Sequence, residues 1–128
     1  MSAGFVVGSI RQDAVVLGRS GWILGSFFPE VGDGSERRTG EIEVKYWEYL
    51  PGEASGHGAK SSATVEWSYI LTGSTLAQLD GREVVLNAGD YVLIHPGTPN
   101  NLVSKVLEPI SAITVKAPSD PSAKKAVS

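Results

Sequence analysis

The chain has 128 residues, a formal net charge of −3 and no cysteine. This length suits a single domain, and a mildly acidic charge without a basic patch argues against a nucleic-acid partner. The absence of cysteine excludes disulfides and thiol catalysis. Since there is also no apolar run of membrane-spanning length and no leader-like start, we expect a cytoplasmic protein without a membrane partner.

Short strand patterns follow one another along most of the chain. Residues 41–50 (EIEVKYWEYL) alternate between a mainly apolar face and a face that carries Glu43, Lys45 and Trp47. This period of two predicts a strand between an apolar layer and wetter surroundings. Further runs rich in β-branched and aromatic residues predict strands at residues 14–17, 22–28, 65–71, 75–79, 83–86, 91–94 and 110–116.

Turn signals separate these strands. Asp80-Gly81 stands between two apolar runs and predicts a two-residue hairpin, because a type I′ turn needs positive φ at both central positions. Many short strands with frequent turns, and no long amphipathic helical pattern, favour a sandwich or barrel. We therefore predict one all-β domain over residues 1–117, with the barrel core at about 41–117, loops at 31–40 and 52–62, and a flexible tail at 118–128.

Two motifs resemble those of the cupin superfamily. The first cupin motif reads G-x5-H-x-H-x3,4-E-x6-G, and Glu66-WSYILT-Gly73 matches its E-x6-G half. The second reads G-x5-P-x-G-x2-H-x3-N, and Gly89-DYVLI-HPGTPN keeps both glycines and the Thr-Pro that commonly follows. The resemblance covers residues 51–104 and implies a double-stranded β-helix, or jelly-roll barrel, that forms a homodimer.

The metal-binding positions of these motifs are largely missing. Cupins that hold metal use the two histidines of H-x-H, the glutamate and the later histidine, and only the glutamate, Glu66, survives here. With three residues before Glu66 the H-x-H positions are Lys60 and Ser62; with four they are Ala59 and Ser61; the later histidine position is Asn100, and the second motif's proline is His95.

A carboxylate and a carboxamide are a weak donor set for a first-row transition metal, which several nitrogen, oxygen or sulfur ligands must hold together. We therefore expect no metal cofactor. The weak alternative is a divalent transition metal held by His57, Glu66 and His95, in which His57 reaches the site from a glycine-flanked loop.

The motif positions also define a predicted ligand site. Glu66 either lines a ligand cavity as general acid or base, or is a structural carboxylate bonded to Lys60 or an arginine. His95, at a strand end, either relays a proton or is bonded to a carbonyl group in a structural role. The predicted catalytic residues are Glu66 and His95, and the predicted ligand-binding residues are Lys60, Asn100, Trp47 and Tyr69, the last two being alternatively core or dimer-interface aromatics.

This residue set favours acid/base chemistry on a small molecule. The leading interpretation is a small-molecule-binding, metal-independent isomerase, epimerase, cyclase or dehydratase, in which Lys60 and Asn100 steady an oxyanion. The first alternative is a metal-dependent oxygenase or lyase that uses His57, Glu66 and His95. The second is a non-catalytic module that binds or senses a metabolite.

Overall fold

The computed structural model describes residues 4–53, 59–120 and 124–126. It confirms the all-β fold and adds one short helix. The elements in chain order are α1 (Ile10–Val16), β1 (Trp22–Leu24), a 3₁₀ turn (Ser35–Arg37), β2 (Glu43–Tyr49), β3 (Lys60–Ser62), β4 (Val65–Leu79), β5 (Arg82–Asn87), β6 (Tyr91–Ile94), β7 (Asn100–Ala117) and β8 (Lys124–Ala126).

The two long strands, β4 and β7, take part in both layers of the barrel. In the first layer the N-terminal half of β4 pairs with the C-terminal half of β7, and the strand order is β1-β2-β7-β4-β6. In the second layer their other halves pair, and the order is β5-β4-β7-β3-β8. Every one of these pairs is antiparallel. The arrangement is the double-stranded β-helix that the motifs predict.

β4 passes from one layer to the other at Gly73, the glycine that ends the first motif. Gly73 has a φ of +78°, a conformation that glycine adopts at little cost. A Cβ at this position would lie 1.9 Å from the Pro109 carbonyl oxygen, and the register between β4 and β7 shifts on both sides of it. The predicted separate strands 65–71 and 75–79 are therefore one bent strand.

The predicted Asp80-Gly81 hairpin is confirmed. It joins β4 to β5, with Leu79 opposite Arg82. The φ angles of Asp80 and Gly81 are +52° and +80°, the two positive values that a type I′ turn requires.

The N-terminal part of the chain differs from the prediction. Residues 14–17, predicted as a strand, belong to α1 and its end, and within 22–28 only β1 is a strand. Backbone hydrogen bonds between residues four apart, from Asp13 N to Ser9 O (2.8 Å) and from Leu17 N to Asp13 O (3.0 Å), form the two turns of this helix. An apolar run this short has no period long enough to separate a strand from a helix, which is why the prediction was wrong.

The C-terminal part contains more strand than the sequence pattern indicates. β7 begins ten residues before the predicted strand 110–116, and β8, within the predicted tail, pairs with β3. These added segments contain many polar residues, so they lack the apolar alternation that predicts a strand. Backbone pairing, which joins β8 to β3, does not require such a pattern. Residues 54–58, in the predicted loop 52–62, lie outside the described residues.

The hydrophobic core lies between the two layers and is built mainly by β4 and β7. Trp47 and Tyr49 of β2 pack against it from the first layer. The buried members are Ile70, Ala77, Leu86, Ile94, Leu102, Val103, Val106, Ile110 and Ala112. Within the described ranges, no helix has the length and apolar character needed to cross a bilayer.

Candidate functional site

Three neighbouring strands of the first layer carry a polar ladder on the inner face of the barrel. β7 lies between β2 and β4, and residues directly opposite one another on antiparallel strands point to the same side of the sheet. Toward the core the successive rungs are Glu43–Lys116–Glu66, Lys45–Thr114–Ser68 and Trp47–Ala112–Ile70. The ladder thus changes from charged to polar to apolar, since Ala112 and Ile70 belong to the core.

A buried ion pair occupies the charged rung. Lys116 Nζ lies 3.4 Å from Glu66 Oε1, and the two side chains are only 10% and 8% exposed. Glu43, the other register partner of Lys116, is also buried, and its Oε2 accepts a hydrogen bond of 3.0 Å from Ser119 Oγ. Charges withdrawn from water to this degree are tolerated only when they are paired, so the Glu66–Lys116 pair couples β4 to β7 at this rung.

The ladder forms a wall of a small cavity, here called the inner cavity, with a volume of about 90 Å³. A more open pocket of about 540 Å³, the outer pocket, adjoins it, because Trp22 and Lys116 line both. The inner cavity is lined by Trp22, Lys45, Trp47, Tyr49, Lys60, Glu66, Asn100, Asn101, Leu102, Val103, Thr114 and Lys116. It therefore combines aromatic and aliphatic walls with a few charged groups, as small-molecule sites do.

Two aromatic side chains are fixed in this wall. The Trp47 indole N–H donates a hydrogen bond of 2.9 Å to Thr114 Oγ1, which is 2.7 Å from Ser68 Oγ. The Trp22 ring lies under two ammonium groups, with its centroid 5.4 Å from Lys45 Nζ and 5.7 Å from Lys116 Nζ. These cation–π contacts position both lysines at the junction between the inner cavity and the outer pocket.

Four of the residues predicted from the sequence come together in the inner cavity: Glu66, Lys60, Asn100 and Trp47. The Asn100 side chain is held by two hydrogen bonds to the backbone, because its Nδ2 donates to the carbonyl oxygens of Lys60 (3.2 Å) and Thr98 (3.1 Å). Its amide nitrogen therefore ties β3 to β7, and the Asn100 side chain is a structural part of the cavity wall.

The structure places the other predicted site residues elsewhere. His95 is exposed and comes directly after the end of β6 at the buried Ile94. Tyr69 lies on the outer face of β4, where its ring stacks on Trp67 with centroids 6.1 Å apart and an interplanar angle of 3°. Neither residue lines the inner cavity. His57 falls outside the described residues.

The ion-pair partner of Glu66 is not one of the residues predicted from the sequence. The predicted partners were Lys60 or an arginine, whereas the partner is Lys116 near the end of β7. Two signals were present: Lys116 ends an otherwise apolar run, and Glu43, Lys45 and Trp47 share one face of β2. The wetter surroundings predicted for that face are the barrel interior. Trp22 was assigned to a strand without a site role.

The residues around Glu66 do not fit the metal centre that metal-holding cupins use. A cation at Glu66 Oε1 would meet the Lys116 ammonium 3.4 Å away, which repels it. Asn100 presents its amide nitrogen to carbonyl groups, and His95 lies on the outside. In the part of the chain that the structure describes, no group of three histidine, aspartate or glutamate side chains could hold a metal ion.

Comparison with known proteins agrees with this fold. Residues 45–116, more than half of the chain, match the Cupin domain family. The chain therefore belongs to the cupin family. No curated protein matches the sequence.

Solved structures with the same architecture include proteins of several kinds. A cupin protein from Bacteroides fragilis is 22% identical with a TM-score of 0.55, over 63% of this chain and 69% of that chain. The DMSP lyase DddQ from Ruegeria pomeroyi is 17% identical with a TM-score of 0.61, over 77% of this chain and 49% of that one. Pac13 from Streptomyces, described as a nucleoside dehydratase, is 14% identical with a TM-score of 0.58, over 70% of each chain. At these identities the likeness concerns the fold alone.

Proposed function

We propose that this cupin binds a small molecule in its barrel and acts on it by metal-independent acid/base chemistry, with Glu66 and Lys116 as the reacting pair. The observation that carries the proposal is the ion pair itself, which lines the inner cavity with a carboxylate and an ammonium group 3.4 Å apart. A carboxylate accepts a proton and an ammonium donates one, so the pair contains both halves of a proton-transfer reaction.

Dehydration illustrates what such a pair does. Glu66 takes a proton from a substrate carbon, and the C–H electron pair forms the new C=C bond as the C–O bond to a hydroxyl group on the next carbon breaks. Lys116 gives a proton to the departing hydroxyl, which leaves as water. The proton on Glu66 then passes back to the neutral Lys116 amine, and the ion pair is restored without an external acid or base.

The same pair serves isomerisation or epimerisation, in which Glu66 takes a proton at one position and returns it at another or on the other face. Lys116 then donates a hydrogen bond to the oxygen on which negative charge develops. The structural neighbours include a dehydratase and a lyase. By analogy of fold alone, they support the view that a barrel of this kind can carry out elimination chemistry.

The two alternative functions predicted from the sequence require different residues at the cavity. The metal-dependent oxygenase or lyase needs His95 as a ligand, and His95 points away from the cavity. The non-catalytic metabolite-binding module needs only the cavity, so it is the second candidate. It differs from the first in a single respect, because it predicts that the natural chain binds the small molecule without any turnover.

The experiment is an NMR assay in deuterated water with chelator-treated protein and a panel of small hydroxy acids, sugars and nucleosides. We expect deuterium incorporation or loss of water from one class of compound, and we expect Glu66→Gln and Lys116→Met to abolish it. The matched control is Glu83→Gln on the exposed part of β5, which retains full activity. Full turnover by Glu66→Gln, or turnover that returns only when a metal is added, would refute the proposal.

We also propose that the protein is a cytoplasmic homodimer. The chain lacks cysteine, which suits a reducing compartment. The outer face of β4 and β6 exposes apolar side chains, among them Trp67, Tyr91 and Leu93, of the kind found at interfaces. Sedimentation of Trp67→Glu should then report a monomer where the natural chain is a dimer. A monomeric natural chain at micromolar concentration would contradict the dimer.

A further inference from the structure

We propose that the outer pocket binds an alcohol hydroxyl group of the ligand between Glu43 and Lys116, and that this hydroxyl is the group that leaves in the dehydration proposed for Glu66 and Lys116. The second part rests on the proposed function, whereas the binding of a hydroxyl group depends only on the contacts of Glu43 and Lys116. The ligand class is a small molecule that carries a hydroxyl group on an apolar carbon skeleton.

Glu43 brings a buried carboxylate to the outer pocket. The residue lines this pocket, although only 5% of its surface is exposed. Within the described ranges its carboxylate takes part in one hydrogen bond, which Oε2 accepts from Ser119 Oγ. Ser119 is itself held in place, because its Oγ accepts a hydrogen bond of 2.8 Å from Ser26 N. A carboxylate accepts hydrogen bonds at both of its oxygens, so Glu43 keeps acceptor sites for a ligand.

Lys116 supplies a donor to the same pocket. It is the register partner of Glu43 on the neighbouring strand, and both residues line the outer pocket. Among the described residues the ion pair of Lys116 is formed with Glu66 and not with Glu43, so these two register partners are not in direct contact. An acceptor and a donor that face one pocket without pairing can hold a ligand group between them.

The chemistry of the two residues selects a hydroxyl group. A hydroxyl donates one hydrogen bond and accepts others, so its proton can bind Glu43 while its oxygen accepts a hydrogen bond from Lys116 Nζ. A carboxylate or phosphate group of the ligand would be repelled by Glu43, and an ammonium group would be repelled by Lys116. A carbonyl or ether oxygen has no proton for Glu43. The hydroxyl group satisfies both residues.

The outer pocket also has an apolar wall for the carbon skeleton. Trp22 and Phe27 line it, and their rings meet edge to face, with centroids 5.7 Å apart and an interplanar angle of 73°. Trp22 and Lys116 also line the inner cavity, as Glu66 does. A ligand whose hydroxyl group lies in the outer pocket therefore has its neighbouring carbon at the junction that leads to Glu66.

The order of residues on the rung, Glu43–Lys116–Glu66, matches the order of groups in an elimination. Glu66 takes the proton from one carbon, and Lys116 protonates the hydroxyl group on the next carbon, which Glu43 holds. The charge-assisted hydrogen bond to Glu43 raises the electron density on the hydroxyl oxygen, so that this oxygen accepts the Lys116 proton more readily. Glu43 neither gains nor loses a proton. The C–O bond breaks, and the hydroxyl group leaves as water.

Two probes that differ at the hydroxyl group test the site. Cyclohexanol carries the group, and fluorocyclohexane has in its place a fluorine without a proton. The chain has three tryptophans, and Trp67→Phe leaves only Trp22 and Trp47, which line the pocket or the cavity, as fluorescent reporters. We expect a saturable change with cyclohexanol, and binding at least about tenfold tighter than that of fluorocyclohexane. Equal affinities, or no saturable change with cyclohexanol, would overturn the proposal.

Glu43→Gln tests whether the preference for the alcohol depends on Glu43. The variant keeps the size of the side chain but replaces the charged acceptor with a neutral one, so the preference should fall to about threefold or less. Binding of fluorocyclohexane should stay unchanged. Glu41→Gln, the same substitution at an exposed residue, is the control and should keep the full preference. A Glu43→Gln variant that keeps it, or that binds both probes equally more weakly, would contradict the role of Glu43.

Turnover of Glu66→Gln separates this proposal from the proposed function, because binding of cyclohexanol needs no reaction. A preference for the alcohol that depends on Glu43, together with loss of turnover in Glu66→Gln, supports both proposals. The same preference with full turnover in Glu66→Gln refutes only the proposed function. No preference in the natural chain, with turnover lost in Glu66→Gln, refutes only the hydroxyl site.

Discussion

Glu66 and Lys116 are register partners on adjacent strands, and their charged ends lie 3.4 Å apart inside the barrel. Glu66 is the one metal-binding position of the cupin motifs that this chain retains, and the Lys116 ammonium group beside it would repel a metal ion. Where metal-holding cupins have a metal centre, this chain therefore has a pair of opposite charges that faces a small cavity.

Removing one partner should destabilise the fold strongly. Lys116→Met leaves the Glu66 carboxylate buried without its counter-charge, and such losses cost about 3–5 kcal/mol of unfolding free energy. The double variant Lys116→Met, Glu66→Leu should recover much of that loss, because no lone charge remains. Urea denaturation measures both, with Lys105→Met as an exposed control expected to fall within about 0.5 kcal/mol of the natural chain. A single variant as stable as the control would show that the pair contributes nothing.

The bend at Gly73 should tolerate no side chain. Gly73→Ala combines a φ of +78° with a Cβ 1.9 Å from the Pro109 carbonyl oxygen, so the strands must move apart at the bend. Gly81→Ala is the matched control, with a φ of +80° and nothing within 4 Å of its Cβ. The control should lose about 1 kcal/mol from backbone strain alone and Gly73→Ala clearly more. Equal melting temperatures for the two variants would contradict the close approach of the strands.

Tyr46 should make the protein sensitive to alkali. Burial, and next the hydrogen bond to Glu48, raise the pKa of the Tyr46 phenol above its ordinary value of 10.0. Because the folded chain holds this proton more tightly than the unfolded chain, the contribution to stability is complete below pH 10 and falls as the pH rises from there through the folded pKa. In denaturation measured across this range, Tyr46→Phe should show a smaller alkaline loss of stability than the natural chain. An identical decline in both would contradict the raised pKa.

The exposed histidine should have no part in the chemistry. His95→Ala changes a side chain that points away from the inner cavity, so ligand binding and turnover should stay at the level of the natural chain. Lys60→Met, which changes the cavity lining, is the comparison and should weaken binding. A His95→Ala variant that loses turnover while remaining folded would restore the role that the sequence suggested for this residue.

Local and periodic features of this fold could be predicted from the sequence. The hairpin at Asp80-Gly81 is predicted from two adjacent residues. The barrel strands are predicted from the alternation of apolar and polar residues or from the spacing of the motif glycines. The helix α1 could not be predicted, because its apolar run is too short to show a period. The N-terminal half of β7 could not either, since its apolar and polar residues do not alternate and it is held by pairing with β4.

Apart from Trp47, which lies on the inward-facing side of the alternating strand β2, the candidate site was predictable where a motif position coincides with an inward-facing residue. Glu66, Lys60 and Asn100 occupy such positions, and all three line the inner cavity. His95 also occupies a motif position, but it follows the end of β6 and is exposed. Lys116 belongs to no motif, and its contact with Glu66 depends on the register between two strands that are distant in sequence, which a single sequence does not encode locally.

The most direct test of the central claim is elemental analysis of protein purified without chelator, with turnover measured on the same sample. If Glu66 and Lys116 carry out the reaction themselves, transition metal is substoichiometric and turnover is independent of how much is present. One transition-metal ion per chain, lost together with turnover in Glu66→Gln, would contradict the claim.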